Sequence, residues 1–283
     1  MQRLGQRARS LSTFKLSSSK EQTHGTILPV LALTSAALLA SVYRYSSADD
    51  ATRKSTTTQL EAAVLGDADD NTTTILNWSG THAVHVKNEQ FWEPETVADV
   101  ERIVQHCHET GQAARPLGSA LSPNGLAFHE TGMISMANLD KVLNVNTDAN
   151  TVTVQAGARI SQVVDALRPY GLTLHNLASI SEQQMGGFIQ VGAHGTGRCV
   201  APVDHYVTSL SLVTPSKGTI TLTEADGNLF HLAKVGLGCL GVVVEVTMQC
   251  IPAHNLVEHT FVLTRKEAKE QLDVLLKEHK HMR

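Results

Sequence analysis

Residues 186–197 read Gly-Gly-Phe-Ile-Gln-Val-Gly-Ala-His-Gly-Thr-Gly, a stretch dense in glycine and almost without charge. Glycine reaches backbone angles that aim consecutive N–H groups at one point, and such a concave nest holds an anion through main-chain donors instead of lysines. This composition suits a backbone that wraps a phosphate closely, and a nucleotide cofactor is its natural occupant.

The rest of the chain narrows the choice. Its 283 residues are enough for one large domain or two small ones once a non-globular N-terminus is set aside. A net charge of −4 and 4% aromatic residues leave no basic stripe and no stacking platform, which argues against nucleic-acid binding. Cys107, Cys199, Cys239 and Cys250 lie far apart with no zinc-type spacing, so they read as buried free thiols. The scattered histidines, His82, His85, His106, His108, His129 and His175 among them, form no metal-binding set with a third ligand, and no metal is expected.

The N-terminus divides into three parts. Residues 1–25 carry Arg3, Arg7, Arg9, Lys15 and Lys20, are rich in serine and hold no acid before Glu21, the composition of a mitochondrial targeting leader. The uncharged apolar run 27–43 would span roughly 25 Å as a helix, just enough for a bilayer core. A secretory signal-anchor and a leader with no targeting role are the alternatives. Residues 46–76 are polar, rich in Thr and Asp, and read as a flexible linker, with folding expected from Asn77 onward. The sequons at Asn71 and Asn77 lie in or beside this threonine-rich stretch, where such triplets arise by chance.

Beyond the linker, helix and strand patterns alternate. Val97, Val100, Ile103, Val104 and Cys107 recur at helical spacing after Pro94, with Gly111 placed as a C-terminal cap. Ile160, Val163, Val164 and Leu167 mark a second helix stopped at Gly171. Strands are predicted at 133–136, 142–145 and 151–155, the last two as a hairpin across 146–150. Further strands are predicted at 209–214 and 219–223 around Pro215–Gly218, and 242–250 reads as a well-buried strand. The ensemble is a mixed α+β domain.

Gly236-Leu237-Gly238-Cys239-Leu240-Gly241 matches GxGxxG, with Glu258 about twenty residues beyond Gly238. The dinucleotide fingerprint needs a strand before and a helix after. Here a helical pattern precedes and a strand pattern follows, so the segment reads as a glycine-rich turn into a buried strand. Two other loops belong with the opening stretch. Residues 116–125 combine turn formers with small hydroxyl side chains that could clasp a pyrophosphate, and 178–184 bring hydroxyl and amide groups up to the glycines.

Taken in order, Gly118-Ser119 with Leu121 to Gly125, Asn176 to Ile180, Gln190 to Gly197, and Gly236 to Val243 resemble the FAD-binding half of the aldonolactone oxidoreductases. Those are flavoproteins of the vanillyl-alcohol oxidase type. The resemblance runs from about Asn77 to His259 and implies a two-subdomain FAD-binding domain of that (PCMH) type over 77–255, with 256–283 beginning a substrate or cap domain that is otherwise missing. Within the family, these residues are most similar to the mitochondrial branch that converts L-galactono-1,4-lactone to ascorbate and passes electrons to cytochrome c.

The resemblance also implies roles by position. Pro116, Leu117, Gly118, Ser119, Ala120, Leu121 and Ser122 would wrap the FAD pyrophosphate, while Ser179, Gln184 and Gly187 continue the groove. Val191, Gly192, Ala193 and His194 would approach the flavin, with His194 a cofactor contact only, and Val243 would close the adenine end. Lactone oxidases with covalent flavin carry histidine at the place of Leu121; leucine cannot form that bond, so noncovalent FAD is implied. Oxidases have glycine at the place of Ala178, and the extra methyl can fill a gas-sized passage in a closely packed interior. Cytochrome c, not oxygen, is then the expected acceptor.

The implied reaction is hydride loss from a lactone carbon to the flavin. The catalytic acid and arginine belong to the cap region, so a fragment inactive by itself is expected. The rival expectations are an oxygen-using D-arabinono-1,4-lactone oxidase and a non-catalytic, membrane-tethered flavin-binding module. An inner-membrane anchor at 27–43 would set the folded region in the intermembrane space.

Overall fold

A computed structural model of the protein describes residues 71–281. The expected leader, apolar run and all but the end of the linker lie outside the described residues. Among the described residues no helix is long and apolar enough to cross a membrane.

The chain opens with a hairpin, β1 (Thr72–Leu76) and β2 (Ala83–Lys87), paired antiparallel. The linker expected through residue 76 therefore ends earlier. Thr72, Thr73, Thr74 and Ile75 are β-branched and pair readily, whatever their polarity suggests about disorder. A small parallel sheet follows, with β3 (Phe91–Trp92) and β4 (Arg115–Leu117) flanking β5 (Met133–Ser135). Val84, Val86, Leu117 and Met133 form the core shared by hairpin and sheet.

Between β3 and β4 runs α1 (Val97–Thr110). It begins at the Thr96 cap, two residues past Pro94, and ends on Gly111 at φ 69°, as the pattern predicts. Val100, Val104 and Cys107 are its buried stripe.

The second subdomain is a six-stranded antiparallel sheet of β6 (Val142–Asn146), β7 (Thr151–Gln155), β8 (Leu172–Leu174), β9 (Val207–Thr214), β10 (Gly218–Thr223) and β11 (Val242–Pro252). The order is β10-β9-β11-β7-β6, with β8 pairing the far end of β11. The expected hairpin forms across 146–150, where Asn146 Oδ1 accepts from the N–H groups of Asp148 and Ala149. The strands expected around Pro215–Gly218 pair as β9 and β10.

Strand β11 is central because alternate residues Val242, Val244, Val246, Met248 and Cys250 are all buried, giving it a full apolar face for the main core. Helix α2 (Ile160–Leu167) buries Ile160, Val163 and Leu167, then tightens and stops at Gly171, φ 65°. Two short helices, α3 (Met185–Gln190) and α4 (Asn228–Lys234), complete this layer through Phe188 and Phe230.

Three further features depart from the sequence expectations. Residues 185–190, the head of the glycine-dense stretch, are helical. Residues 265–278 form a helix, α5 (Arg265–Glu278), capped by Thr264 and Glu267 but burying none of its residues. Behind that cap Ala268, Leu272, Leu275 and Leu276 recur at helical spacing, a signal that sequence reasoning passed over. Of the four cysteines, Cys107 and Cys250 are buried, whereas Cys199 and Cys239 are exposed in loops.

Candidate functional site

A cleft of about 300 Å³ opens where three chain segments meet. The first is the loop leaving β4. Gly118 lies against Gln184, where a built Cβ would sit 3.6 Å from the Gln184 side chain, and Ser119 Oγ donates to the Glu182 carbonyl at 2.6 Å. Ala120 adopts φ 50°, a left-handed conformation that is unfavourable for a residue with a Cβ. It is held from outside: the Trp78 N–H donates to Ala120 O at 3.0 Å, and Asn77 Nδ2 donates to Ser122 O at 3.1 Å. Asn77 is 4% exposed, and its Oδ1 accepts from the N–H groups of Thr81 and His82. Its amide is thus engaged on all sides, which closes the Asn77 sequon to glycan transfer in the folded domain.

The second segment is α3 with the residues before it. The Met185 and Gly186 N–H groups donate to Ala158 O and Ala156 O at 2.9 and 2.7 Å, pinning the helix to the chain just past β7. A Cβ on Gly186 would lie 3.1 Å from Ala156 Cβ, so glycine permits this approach, while a Cβ on Gly187 would meet nothing within 4 Å. The third segment is the turn 236–241 and the start of β11. Helix α4 precedes it and β11 follows, an order opposite to the dinucleotide fingerprint, so the GxGxxG match is the glycine-rich turn that context predicts. A Cβ on Gly241 would lie 2.4 Å from Val213 O, so the turn can enter the sheet only through glycine.

The cleft brings together Pro116, Leu117, Gly118, Ser119, Ala120, Leu121 and Ser122 with Gln184, Gly187, Val191 and Val243. Ser179, Gly192, Ala193 and His194 do not line it. For the last three the reason is Gly192: at φ 58° it follows the end of α3 and turns the chain away, with Ala193 N–H donating back to Phe188 O at 3.1 Å. The glycine-dense stretch is therefore not one continuous nest. Its first half builds a cleft wall, and the rest serves close packing, since a Cβ on Gly195 would lie 2.6 Å from Leu177 O. His194 is exposed, with Nδ1 3.0 Å from Gly195 O. Ala178 also stands outside the lining, half-buried against the main core.

Sequence reasoning missed Arg115, Leu126, Met136 and Ala156 as lining residues, and it named the segments that hold Gln183, Gln190, Leu237 and Gly238 without giving those four a role. The GxGxxG segment was the available signal for the last two, because a turn this rich in glycine implies a close neighbour. The bracing bonds of Asn77 and Gln190 had none: each acts through partners far away in the chain.

Electrostatically the cleft is sparse. Arg115, whose guanidinium donates to Leu126 O, is the only Lys, Arg, Asp, Glu or His in its lining. Gln183 Oε1 and Gln184 Oε1 are buried with no hydrogen-bond partner. Outside the cleft, His175 stacks on Tyr206 at 4.1 Å between ring centroids. Burial pushes its pKa down, and the neighbouring His205 and Lys280 add to the shift.

This architecture recurs in known proteins. The FAD binding domain family matches residues 89–224. The mitochondrial L-galactono-1,4-lactone dehydrogenase of Arabidopsis thaliana is 54% identical over 211 residues, 74% of this chain and 34% of that protein. L-gulonolactone oxidase of Bos taurus is 34% identical over 209 residues, 73% of this chain and 47% of that one. The chain thus spans a third to a half of the length of these relatives.

Among solved structures, cholesterol oxidase from Brevibacterium sterolicum shares the fold with a TM-score of 0.54 at 24% identity, over 66% of this chain and 39% of that one. With the two-subdomain α+β fold, the FAD-binding match and identity above one half in agreement, the chain belongs to the aldonolactone oxidoreductase family of FAD-binding flavoproteins.

Proposed function

We propose that this chain is the FAD-gripping part of an aldonolactone dehydrogenase, one that oxidises L-galactono-1,4-lactone to ascorbate in mitochondria and hands electrons to cytochrome c. The observation that carries the proposal is the cleft itself: three segments distant in sequence meet there, with small residues, hydroxyls and amides but almost no charge. Such a site suits a dinucleotide held by hydrogen bonds and shape, and its volume sits at the small end of the ~300–1,000 Å³ typical of ligand pockets.

The residues present fit FAD. Gly118 and Gly187 leave room for close approach, and Ser119 and Ser122 can donate toward a diphosphate. The partnerless Gln183 and Gln184 oxygens call for N–H donors, which both the adenine and the flavin ring edge possess. Leu121 lines the cleft and offers no atom for a covalent flavin bond, which supports a noncovalent cofactor. Ser179, Gly192, Ala193 and His194 would reach FAD only where it extends past the cleft.

When bound, FAD supplies the hydride acceptor. The chain's own residues bind and orient it and keep water from the buried face made by Met136, Ala156 and Val243. No carboxylate or imidazole lines the cleft, so the described residues provide grip and not proton transfer. The alanine methyl at 178 supports cytochrome c over oxygen, and anchoring through 27–43 in the inner membrane would bring the domain to that acceptor.

The test is the absorbance spectrum of the purified chain before and after acid precipitation. A flavin spectrum that leaves the pellet with acid is expected. A well-folded protein that stays colourless in excess FAD overturns the proposal. For the whole enzyme, lactone-dependent cytochrome c reduction without peroxide is expected, and stoichiometric peroxide would favour the oxygen-using reading.

A further inference from the structure

We infer that Gln190 is a positioning residue for the cofactor cleft, a latch that holds the 233–238 turn as its outer wall; the inference rests on the FAD reading above. Gln190 ends α3, and its side-chain amide is committed to the turn. Nε2 donates to Ala233 O at 2.6 Å, with Lys234 O 3.4 Å away, and Oε1 accepts from the Gly238 N–H at 3.0 Å.

Both ends of this arrangement satisfy groups that need partners. Ala233 and Lys234 close α4, and the last carbonyls of a helix have no acceptor role within it. The turn beyond them is strained at Leu237, which sits at φ 50°, while Gly238 takes φ 78° without cost. A left-handed leucine persists only where its surroundings over-determine it, and the Gln190 amide, bonded on either side of Leu237, provides that constraint.

The turn matters because of where it leads. Leu237 and Gly238 line the cleft, and a Cβ on Gly238 would lie 3.4 Å from Pro116 Cγ, so the turn packs against the start of the pyrophosphate loop. The latch therefore sets the width of the cleft between the α3 wall and the pyrophosphate loop. Without it, the strained turn relaxes away from Pro116 and the grip on the dinucleotide loosens. Gln190 acts through this wall: both polar atoms of its amide point at the turn.

Equilibrium binding of FAD to the full chain, with free flavin separated by ultrafiltration, tests this at several pH values. Gln190→Ala is expected to raise the Kd about tenfold, the scale of one buried hydrogen-bonded partner lost. Gln190→Glu is nearly isosteric and folds more safely. Ionised, its carboxylate faces two carbonyl oxygens and repels them; protonated, it again offers one donor and one acceptor.

Its affinity should match that of Gln190→Ala at pH 8 and return toward wild type near pH 5, a recovery that lost packing alone does not produce. Lys234 and His231 of α4, Cys239 of the turn and Asp204 beside Gly192 are shared by all three proteins, so wild type and Gln190→Ala report their titration. A wild-type Kd in Gln190→Ala, or Gln190→Glu running parallel to Gln190→Ala at every pH, overturns the inference while leaving the FAD reading standing. A wild-type chain that binds no FAD overturns both.

Discussion

At Gly157 a carbonyl stands where a methyl group would go: a built Cβ lies 1.9 Å from Met136 O and 2.8 Å from Leu139 O. The neighbours are backbone, tied by the Gly157 N–H to Leu139 O bond at 2.8 Å, and cannot swing aside. Gly157→Ala is therefore expected to destabilise by more than about 3 kcal/mol in urea unfolding. Gly111→Ala, at the left-handed φ 69°, ψ 15° with nothing within 4 Å, should lose only about 1 kcal/mol from backbone strain. Equal losses would show that the tight contact is not real. The cysteines separate in the same way. Burial pushes the Cys250 thiol up to about 11 and raises that of Cys107, which leaves both as unreactive thiols at neutral pH. Iodoacetamide at pH 8 should label the exposed Cys199 and Cys239 in the native protein, and Cys107 and Cys250 only in denaturant; rapid native labelling of Cys250 would contradict this burial.

Helix α1 lies in sequence between two strands of the small sheet yet buries Val100 and Val104 in the main core, and its start rests on one reciprocal cap. The Asp99 N–H donates to Thr96 Oγ1 at 3.2 Å, and the Thr96 N–H donates to Asp99 Oδ2 at 2.8 Å. Thr96→Ala is expected to lower stability by about 1 kcal/mol at pH 7. The hydrogen bonds from Thr96 also hold the Asp99 carboxyl below its ordinary value of 3.8. The folded state then binds its proton more weakly than the unfolded state, so the cap's contribution is complete above pH 3.8 and fades as pH falls through the lowered value. The gap between wild type and Thr96→Ala should narrow in urea melts at pH 3; an unchanged gap would mean that the carboxylate plays no part. The period of an element's own residues made α1, α2, the two hairpins and β11 legible in the sequence. Strand β1 was not, because its threonines have the polarity of a linker and the shape of a strand. Helix α5 was legible as well, in its Thr264 cap and in Ala268, Leu272 and Leu275 at helical spacing, and sequence reasoning passed it over.

Across the whole molecule, apolar surface is unevenly covered. Val257 and Val262 are 79% and 96% exposed, and Leu256 and Phe261 lie beside them. Exposed apolar patches of this kind drive association. Light scattering of the chain should rise with protein concentration, and Val257→Ser with Val262→Ser should suppress the rise; no change would assign the association to another face. The cleft is a property of the same scale. Its loops were readable one at a time, since the glycine, serine and proline that allow tight turns and close approach are visible as letters. Helical and strand periods, the caps at Gly111 and Gly171, and the rejection of a dinucleotide fingerprint at 236–241 likewise follow from sequence alone, because each depends on residues within a few positions of one another. Only the tertiary structure decided that Gly192 turns the chain away from the cleft, that the Gln183 and Gln184 oxygens are buried without partners, and that Asn77 and Gln190 brace its walls. Those outcomes depend on hydrogen bonds between segments tens of residues apart, and no local pattern encodes which distant carbonyl an amide will meet.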